Sequence, residues 1–165
     1  MVLLRSYLRR DGLIDGEFVP VTDYLGTVAD DDYIEGAIEI SVDDVQLLTL
    51  EHFDYVDTLW AYLVEGMEEV AAGRASSTYL PDQPIEIRMT PDAGGQRVEV
   101  AVEDGEWRRA STARRALLAE MTREARAFFE KMTEIVPSNR DTYADLIARI
   151  DRLVASGVTG RYPSR

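Results

Sequence analysis

The sequence predicts an α+β fold: an antiparallel sheet of about five strands with three helices packed mainly on one face, in the order strands, helix, strands, helix, helix. Three observations lead there. Several short segments alternate apolar and polar residues with period two, as half-buried strands do. Those strands are joined by turn residues such as Asp43-Asp44 and Asp104-Gly105, too short for helical crossovers. Three longer segments carry apolar residues at the three-to-four spacing of an amphipathic helix.

Along the chain, Val2 to Leu8 reads as a first strand and Asp11-Gly12 as a turn. Phe18-Val19-Pro20-Val21 is strand-like, but Pro20 cannot donate to a central ladder, so this strand belongs at an edge. From Tyr33 to Val42, Ile34, Ile38, Ile40 and Val42 share one face, with Glu35, Glu39 and Ser41 on the other. Asp43-Asp44 turns the chain and Val45 to Leu50 returns.

The first helix is expected from about Tyr55 to Ala72. Val56, Leu59, Trp60, Leu63, Met67 and Val70 form its stripe, Asp54 its N-cap and Gly73 its terminator. Pro81-Asp82-Gln83-Pro84 is a stiff lead into the alternating strand of Ile85, Ile87 and Met89. Val98, Val100 and Val102 form the next strand, and Glu106 to Ala110 closes a meander after Asp104-Gly105. Glu86 or Glu99 is expected to pair with Arg97 or Arg108 across strands. The second helix should run from Thr112 to Ile135, ended by Pro137, with Leu117, Met121, Ala125, Phe128 and Met132 inward. The third should run from Asp141 to Ala155, capped by Ser138 or Asn139 and ended by Gly157.

At 165 residues the chain is long enough for one ordinary core. We expect a single domain over 1–157 and a flexible tail over 158–165. There is no cysteine, which excludes disulfides, thiolate metal sites and cysteine nucleophiles and fits a reducing compartment. Arg5, Arg9 and Arg10 break the short apolar start, so no signal-peptide pattern forms. Apolar stretches fall far below the ~20 residues that span a bilayer. These features predict a cytoplasmic protein with no membrane partner.

The charge is lopsided. Residues 1–73 hold 17 acids and 3 bases, a net of −14, whereas residues 74–165 hold 14 acids and 15 bases, a net of +1. From Asp11 to Gly73 there is no Lys or Arg at all. Such a surface repels nucleic acid and anionic membranes and attracts a basic protein. One alternative is that the charge serves only solubility. Another is that these acids pair with the arginines of Arg108 to Arg126 on folding, although exposed pairs contribute only ~0–1 kcal/mol each.

Candidate partner-binding residues are the acidic clusters Asp30, Asp31, Asp32 and Glu35, the turn pair Asp43 and Asp44, and the helical set Glu65, Glu68 and Glu69. The first cluster fails the calcium-loop pattern, because Ile34 stands where an oxygen ligand is needed and Ser41 where the bidentate Glu belongs. No metal site, cofactor or catalytic residue is assigned. His52, the only histidine, excludes multi-His zinc sites and reads as a surface or turn residue rather than a general base. No phosphate loop, dinucleotide fingerprint or nucleophile elbow is present. The acidic balance argues against a nucleic-acid partner. Trp60 belongs to the core stripe, while Tyr62 falls off it as a contact residue.

The run from Ile34 to Phe129 combines a strand hairpin, Val56-Asp57-Thr58-Leu59-Trp60-Ala61-Tyr62, Pro81-Asp82-Gln83-Pro84-Ile85, and a helix ending Ala127-Phe128-Phe129. In this it resembles small, acidic, uncharacterised bacterial α+β proteins, some of which resemble immunity proteins of toxin systems. The resemblance covers a little over half the chain and implies a binding module, with no residue role carried over. The leading expectation is therefore a non-enzymatic acidic protein that engages a basic protein. Two others stand beside it: a small-ligand binder or enzyme with a carboxylate and arginine cleft, and a chain that self-associates, acidic half against Arg-rich region.

Overall fold

The alternation of Val2, Leu4, Ser6 and Leu8 turns one face of strand β1 (Val2–Arg10) inward. Around it the computed structural model, which describes residues 1–10 and 16–159, assembles a first antiparallel sheet. Its other strands are β2 (Glu17–Pro20), β3 (Glu35–Val42) and β4 (Val45–Leu48), in the order β2-β1-β3-β4, and the short β5 (Asp54–Tyr55) also pairs with β3. Pro20 lies on the edge strand, opposite Tyr7, where its missing N–H costs no ladder bond. Asp43 and Asp44 turn the β3–β4 hairpin with φ of 46° and 68°. Two successive left-handed residues match the twist of the strands they join. The expected Asp11-Gly12 turn lies outside the described residues.

Helix α1 (Val56–Ala71) follows, and then a second antiparallel sheet, β6 (Ser76–Tyr79), β7 (Glu86–Pro91), β8 (Arg97–Glu103) and β9 (Trp107–Ala113), paired in sequence order. The two remaining helices are α2 (Arg114–Ile135) and α3 (Arg140–Ala155). α1 packs on β3 of the first sheet and on β6 and β7 of the second. α2 packs on β1 and on β8 and β9, and α3 covers α1 and α2. One apolar core draws on both sheets and all three helices. Its centre is aromatic: Phe128 lies 6.3 Å from Trp60 and 5.1 Å from Phe129, which lies 5.4 Å from Tyr143. The buried Trp60 indole donates to Ser6 Oγ at 3.0 Å, which ties α1 to β1.

The α+β class, the antiparallel pairing and the element order are as expected, but the single sheet is two. β4 comes close to β8 and β9 without sharing a backbone ladder. The strand β6 escapes pattern reading because Ser76–Tyr79 is polar with no apolar alternation, and it forms only by pairing with β7.

Asp54 does not cap α1. Its backbone is taken by pairing with Gly36, so the helix begins after Tyr55, with no side-chain cap. α2 begins at Arg114 rather than Thr112, because Thr112 and Ala113 still pair with Val98 and Arg97. Neither Ser138 nor Asn139 caps α3 through its side chain; both reach towards Asp31 instead. Of the expected cross-strand charge pairs, Glu86 bonds Arg88 along its own strand, Arg108 bonds Asp104, and Glu99 lies 3.9 Å from Arg109. At the C-terminal end, Val158 packs against the core and Thr159 is buried, while the rest of the expected tail, 160–165, lies outside the described residues. No helix among the described residues is long and apolar enough to cross a membrane.

Candidate functional site

The start of β3 and the two residues of β5 lie side by side, with Glu35 opposite Tyr55 and Gly36 opposite Asp54. This pairing brings the acidic loop before β3 against the aromatic segment Phe53–Tyr55. The Tyr33 and Tyr55 rings meet at 5.3 Å with a 59° tilt, and Tyr33 remains 60% exposed. Asp54 is buried and its carboxylate accepts the N–H groups of Tyr55, at 2.7 Å, and Asp82, at 3.0 Å. Gln83 donates to the Phe53 carbonyl. The stiff Pro81–Pro84 loop is thereby anchored beside Tyr55, carrying Asp82 with it.

Two adjoining cavities share Glu35 and Tyr55 in their walls. The larger, about 250 Å³, is also lined by Arg9, Tyr24, Asp30 and Tyr33. The smaller, about 90 Å³, is lined by Phe53, Asp54, Asp82 and Gln83 as well. Arg9 sits at this site with its guanidinium 4.6 Å above the Phe53 ring and Nη1 3.0 Å from Glu35 Oε2. Burial pushes the Tyr55 hydroxyl above the usual phenol range, and the carboxylates of Asp82, Asp54 and Glu35 add to the shift. The site is a negatively polarised aromatic cleft.

The nine acidic candidates fall in three places. Asp30, Asp31, Asp32 and Glu35 belong to this cleft and its rim. Asp30 Oδ1 accepts the Asp32 N–H at 2.9 Å, and Asp31 takes Ser138 and the Asn139 side chain from the turn before α3. Asp43 and Asp44 lie at the opposite end of β3, roughly 25 Å from Glu35 by strand rise. There Asp43 bonds the N-terminal amine, which together with its charge holds the carboxyl below the usual range. Glu65, Glu68 and Glu69 ride on the second half of α1. Glu68 is held bidentately by Arg149, both bonds 2.8 Å, and Glu69 by Arg74 at 2.6 and 3.0 Å.

The pairing of the acidic half with Arg108 to Arg126 does not occur among the described residues. The ion pairs of that segment go to Glu99, Asp104, Glu120, Glu124, Glu130 and Asp151. These partners are near in sequence or on the neighbouring strand or helix, so the chain has no need to cross to the acidic half.

His52 is a turn residue, but it is buried, not on the surface. Its Nδ1 accepts the Thr49 N–H at 3.0 Å and its Nε2 lies 2.8 Å from Asp104 Oδ2, which also takes Arg108. The ring proton therefore sits on Nε2 and is donated to Asp104, which fastens the β4–β5 connection to the β8–β9 turn. The hydrogen bond from His52, with the Arg108 charge, keeps the Asp104 carboxyl below the usual range. Both imidazole nitrogens are committed, as a structural tie requires.

Another cavity, about 640 Å³, follows β1 between the Pro20–Asp23 turn and α2. Its one buried carboxylate, Glu124, already accepts the Ser6 N–H at 2.8 Å.

Sequence patterns point to neither Asp54 nor Asp82 as neighbours of Glu35, nor to the Tyr33–Tyr55 contact. The available signals were the aromatic residues flanking Asp54 and the double proline around Asp82. No family model matches the chain, and neither the curated proteins nor the solved structures contain a match.

Proposed function

We propose that the protein is a non-enzymatic binding module whose acidic, tyrosine-bearing face takes up a basic protein. The observation that carries this reading is the cleft in which Asp30, Glu35 and Asp82 surround the exposed Tyr33 and its partner Tyr55. Exposed tyrosines in a concave, partly desolvated setting are the residue type that anchors interfaces. The surrounding carboxylates supply steering, because the acidic half carries its charge outward and not into pairs with the Arg-rich segment. Capture of a basic toxin-like protein is the form of this function that the immunity-like resemblance suggests, and a cytoplasmic location accords with it.

The test is association kinetics with an arginine- and lysine-rich peptide as probe. Steered association exceeds the unsteered rate by about 10- to 1,000-fold at low salt, and salt screens it beyond ~8–10 Å. Asp30→Asn, Asp31→Asn and Asp32→Asn together should slow association several-fold at low ionic strength and leave it nearly unchanged at high ionic strength. An on-rate and a salt dependence that do not respond to these substitutions would remove the acidic face from the binding surface.

A further inference from the structure

The molecule already holds arginines of its own in a repeated arrangement. Arg9 stacks on Phe53 at 4.6 Å and bonds Glu35 at 3.0 Å. One residue on, Arg10 lies 5.9 Å from the Tyr24 ring centre and 3.8 Å from Glu17. Each set is a guanidinium, an aromatic face and a carboxylate. Tyr24 and Arg9 both line the larger cavity of the cleft, so the two occupied sets form part of its wall.

A third group of aromatic faces and carboxylates stands beside them. The Tyr33 and Tyr55 rings present aromatic surface at 5.3 Å from one another, with Asp30 on the side of one cavity and Asp82 on the other. Glu35 lies between, and only its Oε2 is used by Arg9. Its Oε1, Asp30 Oδ2 and the carboxylate of Asp82 make no side-chain bond to a cation among the described residues. The cleft is aromatic and anionic at once. It suits a planar cation that stacks while it bonds, which is guanidinium more than ammonium.

We propose that this third set is completed by the partner, whose arginine side chain seats against Tyr33 and Tyr55 and bonds Glu35 with Asp30 or Asp82. The inference rests on the acidic-face reading above and adds a specificity to it: the partner is read through arginine and not through positive charge alone.

The test compares two probes of equal charge, tetra-arginine and tetra-lysine peptides blocked at both ends, by fluorescence anisotropy at moderate salt. The expected result is that wild-type protein binds the arginine peptide about three- to tenfold more tightly, the range of one stacked cation. In Tyr33→Leu,Tyr55→Leu that preference should fall to about one while both peptides still bind. Tyr33→Leu alone touches an exposed side chain, and serves if the double variant is unstable. Equal affinities for the two peptides would overturn the arginine inference and leave the acidic-face reading standing. Binding of neither would overturn both. A preference that survives loss of both tyrosines would overturn the location.

Discussion

Gly36 is a position where one added methyl group should do severe damage. It sits in β3 with Leu8 of β1 on one side and Asp54 of β5 on the other. A Cβ there would stand 2.2 Å from the Tyr7 carbonyl oxygen and 2.7 Å from Cγ1 of the fully buried Val56, whereas ordinary contact begins at 3.4 Å. The Tyr7 oxygen would have to withdraw by about 1 Å, and it is main chain in a paired strand, so it cannot rotate aside. Overpacking typically costs 1–3 kcal/mol, and a backbone oxygen with a buried branched side chain sets this case near the top. Replacing glycine in a strand returns about 0.5–1 kcal/mol. The net expectation for Gly36→Ala is about 2–2.5 kcal/mol of lost stability, or a Tm lower by roughly 4–10 °C for a domain this size. Gly66→Ala is the control. Its methyl would meet Met89 Cε at 2.6 Å and Ser76 Oγ at 2.8 Å, both ends of side chains that can turn. The substitution also gains helix propensity of about 1 kcal/mol, so its net effect should stay within about 1 kcal/mol of zero. Urea titration and thermal melts followed by circular dichroism measure both. A Gly36→Ala protein as stable as Gly66→Ala would refute the reasoning from close approach.

Two half-buried carboxylates should make the stability depend on pH, in opposite senses. Burial pushes the Asp57 carboxyl up despite the bonds it accepts from Tyr143 Oη at 2.9 Å and the Thr58 N–H. A raised carboxyl favours the folded state when protonated, so its contribution is lost as pH rises through the folded value. Asp57→Asn keeps an acceptor for Tyr143 and removes the charge. Its stability relative to wild type, from urea midpoints at pH 4 to 8, should improve as pH rises; a difference independent of pH would count against the assignment. Asp104 behaves in the opposite sense. Its carboxyl is held low by His52 and Arg108, so its contribution is present above the unfolded value near 3.9 and is lost as pH falls through the lower folded one. Asp104→Asn should cost about 1–2 kcal/mol at pH 7 and progressively less below pH 4; an equal cost at pH 3 and pH 7 would mean that the charge is not what holds the two loops together.

How much of this was legible in the sequence depended on whether the signal was local. The β3 strand, the Asp43-Asp44 turn, the Trp60 stripe and the edge position of the Pro20 strand follow from periodicity and backbone chemistry within a few residues, and the structure agrees. What failed was competition. Asp54 has good capping chemistry, but β3 claims its backbone and the Asp82 loop claims its carboxylate. Thr112 has helical neighbours, but β8 still pairs with it. The division into two sheets has no local signal, because where a ladder ends depends on what packs behind it. The same holds at the site: the acidic run of Asp30 to Asp32 was visible as composition, while Tyr55 arrives from β5 and Asp82 from the Pro81–Pro84 loop.

The charge separation now has a sharper meaning. Had the acids of the first half been neutralised by the arginines of the second, the net of −14 over residues 1–73 would have described the sequence and not the surface. Among the described residues, Glu68 with Arg149 is the ion pair that makes that crossing beyond the local Glu69–Arg74 pair. The field therefore stays outside, where self-repulsion weakens the fold slightly and attraction to a cation is strongest. Solubility alone would be served by acids scattered anywhere. It gives no reason for an exposed tyrosine to stand among them, since an exposed aromatic works against solubility. On the proposed reading the acids steer at a distance and the tyrosines give contact at the end: charge would bring a basic partner to the face, and the aromatic cleft would set where on that face it stops.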